Sequence, residues 1–301
     1  MTAPVVSIVV PTRNGLETLP ALFDAIARQR VGFPFEVVAV DSRSTDGTAD
    51  FLQQRADRVI RIDPRDFDHG LTRNLAIGEA RGDLIVLMVQ DAIPASDTWL
   101  SAITEPLMAD TALAGTYARQ LPRPGASAIA RDALARWAAS SDVARVAALA
   151  GPDELAALDP LARLARCTFD NVCSCIRRSV WVRHPFRSTP IAEDLRWARE
   201  VLLAGYRLSF VPAAGVFHSH DRPVRYELAR TFAVHRQLYE LFGVRTIPSV
   251  PSLARAFASS VRHHLRCERS MRAITLGIAW PLGQYLGAMS AARHVNRSSV
   301  S

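Results

Sequence analysis

The chain has 301 residues, of which 49% are hydrophobic and 22% are charged, and its formal net charge is +7. It contains no lysine, so all 36 residues counted as lysine or arginine are arginines. P-loop ATPases, protein kinases, pyridoxal-phosphate enzymes and Schiff-base aldolases each need a lysine at the reacting centre, and the composition therefore argues against all of these classes.

The arginine surplus is suited to anionic ligands, because guanidinium groups pair bidentately with the oxygens of diphosphates and with anionic lipid headgroups. A nucleic-acid partner is not expected, since the sequence has no zinc-finger spacing, no RNP-like aromatic strand and no helix-turn-helix pattern with a basic recognition helix. The cysteines lack paired C-x-x-C spacing, and the N-terminus lacks the pattern of a secretory signal. A reduced, cytoplasmic location is therefore expected.

The first third of the chain alternates between two periodic patterns. Apolar runs predict strands at about 5–10, 35–40, 58–62 and 84–89, and helical patterns occur between them at about 16–29, 49–55 and 71–80. This alternation predicts a parallel sheet with crossover helices. We expect Gly82 to end the third helix, and Asp97 to cap a fourth helix that extends toward residue 107.

The middle of the chain changes in composition. Residues 122–166 are rich in alanine and arginine with short apolar spacings, which predicts a helical insertion in the sheet domain. A strand is then predicted at about 168–176, a helix at 192–204 and a strand at 206–211, followed by a loop that carries His218 and His220.

The C-terminal part has a different character. From residue 251 onward, arginines and histidines are interspersed with apolar residues that recur every four positions, in a basic amphipathic pattern. The next stretch, 273–289, is uncharged and glycine-rich, whereas a spanning helix needs about 20 predominantly apolar residues. An interfacial membrane anchor is the favoured interpretation, and a packed helix pair and a spanning helix are the alternatives. We expect a domain at 1–245 and this helical segment at 246–301.

Short polar side chains occur where the first two predicted strands end. Pro11, Thr12 and Asn14 follow the first strand, and Asp41 and Ser42 follow the second. The carboxyl edge of a parallel sheet is where open α/β sheets bind nucleotides. Residues of these types also form turns in many proteins, but their occurrence at consecutive strand ends favours a ligand site.

Further motifs follow in chain order, and they are Phe67-Asp68-His69-Gly70, Thr72-Arg73-Asn74-Leu75-Ala76, Gln90-Asp91-Ala92-Ile93-Pro94, Ala192-Glu193-Asp194-Leu195 and His218-Ser219-His220. Together with the two strand ends, they make residues 5–240 resemble the family 2 glycosyltransferases. Within that family the motifs are most similar to those of bacterial rhamnosyltransferases of polysaccharide assembly. The resemblance implies an α/β fold of the GT-A type, which is a Rossmann-like, mostly parallel sheet flanked by helices, here with a C-terminal helical appendage.

The resemblance also implies a nucleotide-sugar site at these motifs. The side chain of Asp41 would hydrogen-bond the base, with Thr12 and Asn14 beside it. Arg73 and Asn74 lie one turn into a predicted helix, where a guanidinium adds donors to the positive end of the helix dipole. This pair is therefore predicted to bind the diphosphate, although on its own it would be typical of a solvent-facing helix surface.

A divalent cation, Mg²⁺ or Mn²⁺, is the implied cofactor. Gln90 and Asp91 occupy the strand end where the family usually has a D-x-D motif, but the first aspartate of that motif is replaced by Val89. A hard cation prefers several oxygen ligands, so a lone carboxylate makes a weaker site. Asp91 and a histidine of the loop, either His218 or His220, are the predicted metal ligands, and arginines are the alternative source of positive charge. A histidine of this kind is otherwise a packed or surface residue.

The implied catalytic residues begin a later helix. Asp194 is predicted to be the base for inversion at the anomeric carbon, with Glu193 orienting the acceptor or supporting the helix start. Arg199, a turn later, is predicted to reach the diphosphate. Carboxylates at a helix N-terminus are also ordinary caps, which is the alternative interpretation.

The predicted function is that of an inverting glycosyltransferase in surface polysaccharide synthesis, such as O-antigen assembly. It would move a sugar, rhamnose in the finer resemblance, from a dTDP- or UDP-linked donor to a saccharide or polyprenyl-linked acceptor. The enzyme would work peripherally on the cytoplasmic face of the inner membrane. A non-catalytic nucleotide-sugar-binding subunit is one alternative, and a sugar-phosphate nucleotidyltransferase is disfavoured because it needs a glycine-rich loop and a lysine.

Overall fold

A computed structural model of the chain describes residues 4–298, and the nine strands within this range join one sheet. They are β1 (Val6–Thr12), β2 (Phe35–Asp41), β3 (Arg58–Arg61), β4 (Leu84–Met88), β5 (Ile93–Pro94), β6 (Leu113–Leu121), β7 (Arg145–Ala147), β8 (Cys173–Arg177) and β9 (Arg207–Phe217).

The same range contains twelve α-helices and two short 3-10 turns, at Pro64–Asp66 and Ala138–Ser140. The helices are α1 (Leu19–Ala27), α2 (Thr48–Arg55), α3 (His69–Glu79), α4 (Trp99–Ala109), α5 (Ala128–Ala135), α6 (Pro152–Ala157), α7 (Pro160–Arg166), α8 (Arg178–Arg183), α9 (Glu193–Leu203), α10 (Val224–Phe242), α11 (Val250–Cys267) and α12 (Met271–Ser298).

The strand order is β3-β2-β1-β4-β8-β6-β9-β5, and β7 pairs with β9. Strands β1 to β4 are mutually parallel, β8 is antiparallel to both β4 and β6, and β9 is parallel to β6. Because two successive reversals restore the direction, β6 and β9 run the same way as β1, β2 and β4. The carboxyl ends of these strands and the start of β8 therefore share one edge of the sheet, which we call the site edge.

The sheet is buried on both faces. Alternate residues of its central strands belong to two different apolar clusters, so that Val9 and Val38 face one cluster whereas Ile8 and Val37 face the other. This alternation follows from the period of two in a β-strand. The largest fully buried side chains include Trp99 in α4 and Trp197 in α9, so both layers of helices contribute to the core.

The predicted α/β class and the first four strands and three helices are confirmed within a few residues. The sheet is parallel from β1 to β4 but mixed beyond it. Strand β6 has no clear apolar alternation and was not predicted. Strand β9 continues six residues past its predicted end, to Phe217, because the pairing with β6 accommodates Pro212 through a register shift opposite Ala118 and Arg119.

The predicted roles of Asp97 and Gly82 are wrong. The N-cap of α4 is Thr98, and Asp97 instead lies 3.8 Å from Arg28 and 3.6 Å from Arg30 in surface ion pairs. Helix α3 ends at Glu79, before Gly82 is reached. A Cβ at Gly82 would lie 2.6 Å from the backbone nitrogen of Ser7, so glycine is required there for the approach to β1.

The predicted insertion at 122–166 is mainly helical and contains α5, α6 and α7. It also supplies β7, which pairs antiparallel with β9 and extends the sheet. Its β7 strand is short, and its residues carry no apolar run that would have predicted it.

The glycine-rich stretch in α12 packs closely against the neighbouring helices. A Cβ at Gly287 would lie 2.3 Å from the carbonyl oxygen of Phe232 in α10, and one at Gly277 would lie 2.7 Å from the Cα of Val261 in α11. Glycine therefore allows these backbones to approach. No helix in the part of the chain that the structure describes is long and apolar enough to cross a membrane.

The apolar side of α11 is turned toward the protein. Leu253 is buried, and Leu265 packs against Ala273 and Leu276 of α12. This side is therefore occupied by helix packing, as in the packed-helix interpretation. The division between domains at residue 245 stays a prediction, and α10 from before that boundary packs extensively against α12 from after it. The first three and last three residues of the predicted domain ranges lie outside the described residues.

The close approach of Gly82 to β1 can be tested by an alanine scan of two glycines. Gly82→Ala should lower the free energy of unfolding by about 1–3 kcal/mol, because the added Cβ meets rigid backbone. Gly78→Ala is the matched control, since nothing lies within 4 Å of its added Cβ inside α3, and it should raise stability by about 0.5–1 kcal/mol. Urea unfolding measures both, and equal effects would contradict the close approach.

Candidate active site

Hydrogen bonds between polar groups lock the turns after β1 and β2 together. Asn14 has a left-handed φ of 46°, and its Oδ1 accepts a hydrogen bond from the backbone N–H of Thr45 at 2.9 Å. The Ser44 hydroxyl accepts from the N–H of Asn14 at 2.9 Å and donates to Asp41 at 2.5 Å. The two turns thus hold each other at the site edge.

The residues at the ends of β1 and β2 differ in what they can offer a ligand. The hydroxyl of Thr12 donates to the carbonyl of Val40 at 3.0 Å and so joins the two strands, and Pro11 lies opposite Val40 within the pairing. Asp41 and Ser42 are each 1% exposed, and within the described residues the Ser42 hydroxyl has no hydrogen-bond partner. A buried hydroxyl without a partner is available to a bound polar group.

Gln90 connects the end of β4 to the first turn. Its Oε1 accepts from the backbone N–H of Arg13 at 2.8 Å, and its Nε2 donates to the carbonyl of the same residue at 3.1 Å. The Thr18 hydroxyl also donates to the Gln90 carbonyl at 3.1 Å. These contacts hold the next residue, Asp91, beside the turn that contains Asn14.

Asp91, His218 and His220 meet at the site edge, and we call them the Asp–His cluster. Nε2 of His218 lies 3.8 Å from one carboxylate oxygen of Asp91, and Nε2 of His220 lies 3.5 Å from the other. The two Nε2 atoms are 2.9 Å apart, and one ligand atom from each residue lies within 4.8 Å of the others. Adjacent ligands about 2.1 Å from an octahedral ion lie about 3 Å apart, so this spacing fits a divalent cation.

Burial keeps both imidazoles uncharged at neutral pH. It lowers the pKa of His218 to about 3 and the pKa of His220 to about 4, and it outweighs the opposing attraction of Asp91 in each case. A neutral imidazole has a lone pair to offer a metal ion. The protonation state of the cluster therefore suits ligation.

Gln120 orients His218 from behind. Its Nε2 donates to the carboxylate of Asp170, which also accepts from the indole of Trp137 at 2.9 Å. The Oε1 of Gln120 consequently faces Nδ1 of His218, at 2.9 Å, and that nitrogen must carry the proton. The Nε2 lone pair of His218 is then directed toward Asp91 and His220. A hydrogen bond of this kind to the other ring nitrogen typically orients a histidine that binds a metal ion.

Arginines surround the cluster. Arg123 lies 3.1 Å from the Asp91 carboxylate and also donates to the carbonyl of Asp91. Burial is the largest cause of the low pKa of both histidines, and the positive charges of Arg123 and Arg222 lower it further. Arg230 lowers the pKa of His220 as well. This concentration of guanidinium charge suits a diphosphate.

Asp194 is half-buried at the start of α9. Its carboxylate accepts from the backbone N–H of Asn171 at 3.2 Å and from that of Leu195 at 2.8 Å. The preceding Ala192 adopts a strained left-handed φ of 64°. Burial, followed by the negative charges of Glu193 and Asp170, raises the pKa of Asp194 well above its ordinary value. A carboxylate with a raised pKa is a stronger general base.

Glu193 points into the protein and forms a buried ion pair with Arg73. Their side chains are 7% and 4% exposed, and the carboxylate lies 3.0 Å from the guanidinium. Asn171 donates to Glu193 at 3.2 Å, and Arg73 donates to the carbonyl of His69 at 2.8 Å. The pair therefore joins α9 to α3, and the predicted diphosphate role of Arg73 stays a prediction.

Asn74 and Arg199 are not brought to the cluster. The Asn74 amide donates to the carbonyl of Phe186 at 2.8 Å and accepts from the Trp181 indole at 2.8 Å, so it braces the loop before α9. The charge of Arg199 acts on Cys167, whose thiol pKa burial raises to about 11 against the arginine's attraction. Arg199 comes five residues after Asp194, which on a helix places it on a different side.

The residues that connect the site were not predicted from the sequence. Gln120 is the last residue but one of the unpredicted strand β6, and Arg123 follows the strand. Asp170 and Asn171 precede β8, in a segment that was predicted as strand but is a loop up to Cys173. Asp170 and Asn171 form a polar pair just before the apolar run of β8, and this pattern was the signal that could have indicated site residues. The start of an antiparallel strand lies at the same edge of the sheet as the ends of its parallel neighbours.

Several known proteins with similar sequences are named as glycosyltransferases. The family model for glycosyl transferase family 2 matches residues 7–129. The O-antigen chain rhamnosyltransferase RfbN of Salmonella typhimurium is 30% identical over 232 residues, which is 75% of this chain and 70% of that protein. A glycosyltransferase of PGL/p-HBAD biosynthesis from Mycobacterium bovis is 40% identical over 105 residues, which is 33% of this chain and 40% of that protein.

Two solved structures share the fold at lower identity. The mannosyltransferase PcManGT from Pyrobaculum calidifontis, in complex with GDP-Man and Mn²⁺, has a TM-score of 0.57 and 19% identity over 100% of this chain and 81% of its own. Glucosyl-3-phosphoglycerate synthase from Mycobacterium tuberculosis, in complex with Mg²⁺ and UDP, has a TM-score of 0.57 and 20% identity over 82% of this chain and 81% of its own. The predicted resemblance is thereby confirmed, and the chain belongs to glycosyltransferase family 2 and has the GT-A fold.

Proposed function

We propose that the protein transfers a sugar from a nucleotide diphosphate sugar to an acceptor hydroxyl with inversion, and that Asp194 is the base. One observation carries this proposal. A continuous series of contacts leads from the Asn14 turn through Gln90 to the Asp–His cluster, and then through Gln120 and Asp170 to the loop that holds Asp194. A nucleotide pocket, a cation site and a base thus lie along one edge.

The nucleotide is assigned to the turns after β1 and β2. Asp41 and the unpartnered Ser42 hydroxyl form the floor for the base, and the turn of Asn14 flanks it. Short polar groups of this kind treat uracil and thymine alike, so UDP and dTDP are both candidate nucleotides. The names of the rhamnosyltransferase relatives favour rhamnose as the sugar of the donor, and we propose dTDP-rhamnose.

Asp91, His218 and His220 would hold a divalent cation at the diphosphate. Such an ion, when bound, neutralises the charge that develops on the departing nucleoside diphosphate. Two imidazoles and one carboxylate favour a transition ion such as Mn²⁺ over Mg²⁺, which prefers oxygen ligands. Arg123 already pairs with Asp91, and its guanidinium adds positive charge beside the same phosphates.

The chemistry at the acceptor is assigned to Asp194. Its carboxylate takes the proton of the acceptor hydroxyl while that oxygen attacks the anomeric carbon, and the bond from that carbon to the diphosphate breaks on the opposite face. The proton ends on Asp194, whose raised pKa makes it a better acceptor. The buried Glu193–Arg73 pair holds the start of α9 in place for this step.

The acceptor is proposed to be a saccharide or polyprenyl-linked saccharide at the cytoplasmic face of a membrane. The names of the O-antigen relatives support this class of acceptor. The apolar side of α11 is packed against α12, so attachment would come from its exposed arginines rather than from insertion. These residues are Arg255, Arg262 and Arg266 of α11, together with Arg269 just after the end of the helix.

Nucleotide binding can be measured by thermal shift with dTDP, UDP, GDP and ADP, each with Mn²⁺, Mg²⁺ or neither. A pyrimidine diphosphate with Mn²⁺ should stabilise the protein most, by about 2.7 kcal/mol at 100 times its dissociation constant. The paired variant His218→Ala should lose the Mn²⁺-dependent part of the shift and keep the metal-independent part. No shift with any nucleotide would sink the donor assignment.

Replacement of the proposed base separates an enzyme from a non-catalytic binding subunit. Asp194→Asn should lower the release of nucleoside diphosphate from dTDP-rhamnose, in the presence of lipid-linked saccharides extracted from bacterial membranes, by about 10²–10⁴-fold. The thermal shift with nucleotide should be retained. Asp97→Asn, at a surface ion pair, is the matched control and should keep full activity. Unchanged turnover in Asp194→Asn, or no turnover in the wild type, would contradict the assignment.

Membrane attachment through α11 can be tested by co-sedimentation with vesicles containing 30% phosphatidylglycerol. The wild type should bind and should be released by salt, because each arginine near an anionic surface contributes about 1 kcal/mol that salt screens. Reversal of Arg255, Arg262, Arg266 and Arg269 to glutamate should abolish binding. Equal binding to pure phosphatidylcholine vesicles, or retention by the reversed variant, would argue against this surface. The matched charge control is R28E/R30E/R58E/R61E, which should still bind.

A further inference from the structure

A cavity of about 380 Å³ lies between α10, the first turns of α9 and the loop at 188–190. This volume is in the range of small-molecule sites. The polar side chains of Thr189, Arg196, Gln237 and Glu240 and the aromatic ring of Phe232 contribute to its lining. None of these residues belongs to the nucleotide turns or to the Asp–His cluster.

The cavity lies next to the segment that carries the proposed base. Its lining includes Thr189 and Pro190 of the loop before α9 and Arg196 in the first turn of that helix, which begins at Glu193. Along α10, Ala233, Gln237 and Glu240 recur at helical spacing and form one stripe. One turn earlier on the same stripe lies Arg230, whose charge acts on both His220 and Asp170. The stripe therefore leads from the cluster into the cavity.

Two buried polar atoms in the lining have no hydrogen-bond partner within the described residues. They are Nε of Arg196, which is a donor, and Oε1 of Gln237, which is an acceptor. Gln237 is 6% exposed, and its Nε2 donates to Glu240 at 2.8 Å, so its amide is held in place. Arg236 donates to the other carboxylate oxygen of Glu240 at 3.1 Å. Buried polar atoms without partners in a folded protein call for a ligand or ordered water.

The unmatched donor and acceptor indicate the chemical class of the ligand. A phosphate or carboxylate can only accept hydrogen bonds and would leave the Gln237 oxygen unpaired. A hydroxyl both donates and accepts, so neighbouring hydroxyls of one molecule can satisfy Gln237 and Arg196 together. The ring of Phe232 offers an apolar surface for the C–H groups of a sugar. A neutral sugar ring fits all these features.

We propose that this cavity is the subsite for the acceptor saccharide, and that Arg196 and Gln237 hold hydroxyls of its sugar unit. This proposal rests on the proposed function, because it places the acceptor beside Asp194. The ring would enter along α10, and the hydroxyl to be glycosylated would lie toward the base. Arg196 and Gln237 thereby become the residues that select the acceptor.

The test uses methyl glycosides as probes, in the presence of saturating nucleotide and Mn²⁺. Binding of methyl α-D-galactoside, α-D-mannoside, α-D-glucoside and α-L-rhamnoside is measured by saturation-transfer NMR. At least one should bind to the wild type. Arg196→Leu and Gln237→Leu should each raise its dissociation constant by about tenfold or more, as expected for the loss of a buried hydrogen bond. The cavity-filling Ala233→Phe should abolish binding.

Matched controls keep the result specific. Arg58→Leu and Gln54→Leu make the same chemical changes far from the cavity, on β3 and α2, and should leave glycoside affinity unchanged. All five variants should retain the thermal shift with nucleotide, which shows that they are folded and that the donor pocket is intact.

The possible outcomes distinguish this proposal from the proposed function. Glycoside binding that is unchanged by the cavity variants, or absent in the wild type while nucleotide still binds, would overturn the subsite and leave the donor pocket standing. Inorganic phosphate that displaces the glycoside and loses affinity in Arg196→Leu would overturn the assignment to a neutral sugar. A wild type that binds no nucleotide would instead be a failure of the proposed function.

Discussion

Strand β8 runs antiparallel to both of its neighbours, and this reversal brings the site residues of β6 and β9 to the edge that already holds those of β1, β2 and β4. It allows β6 and β9 to run parallel to β1, β2 and β4, so their carboxyl ends meet at one edge together with the start of β8. Residues from six separate strands can therefore contact one another without any long excursion of the chain. Asp41, Asp91, Gln120, Asp170 and His218 all occupy such positions.

Behind this edge, a network of buried hydrogen bonds holds His218 in place. Gln120 satisfies Asp170 with one end of its amide and His218 with the other, and Trp137 from the insertion completes the environment of Asp170. Removal of one partner from such a network costs about 1–3 kcal/mol, because the remaining buried group loses its hydrogen bond. The insertion at 122–166 is thus tied to the orientation of a candidate metal ligand rather than only covering the sheet.

Arginine serves structure as well as charge in this lysine-free chain. The guanidinium of Arg178 donates to the carbonyls of Ile77, Ala80 and Gly82 at the end of α3, and Arg177 binds carbonyls near the end of α4. These forks satisfy the carbonyls that a helix C-terminus leaves unpaired. A buried arginine is therefore no guide to phosphate binding by itself, and Arg73 shows the same use through its pair with Glu193.

The sequence by itself determined the α/β class, the first four strands, the family and the strand-end positions of Asp41 and Asp91. The class and the strands follow from local periodicity, and the family and the two aspartates follow from contiguous motifs. The sequence motifs also predicted that Asp91 acts together with the loop of His218 and His220, and the structure contains these three residues in one cluster. Only the tertiary structure decided that Arg73 and Asn74 brace the fold, that Gln120, Arg123 and Asp170 belong to the site, and that the glycines of α12 serve helix packing. Their partners lie many residues away in the chain, and the contacts that assign their roles exist only after the sheet has brought those segments together.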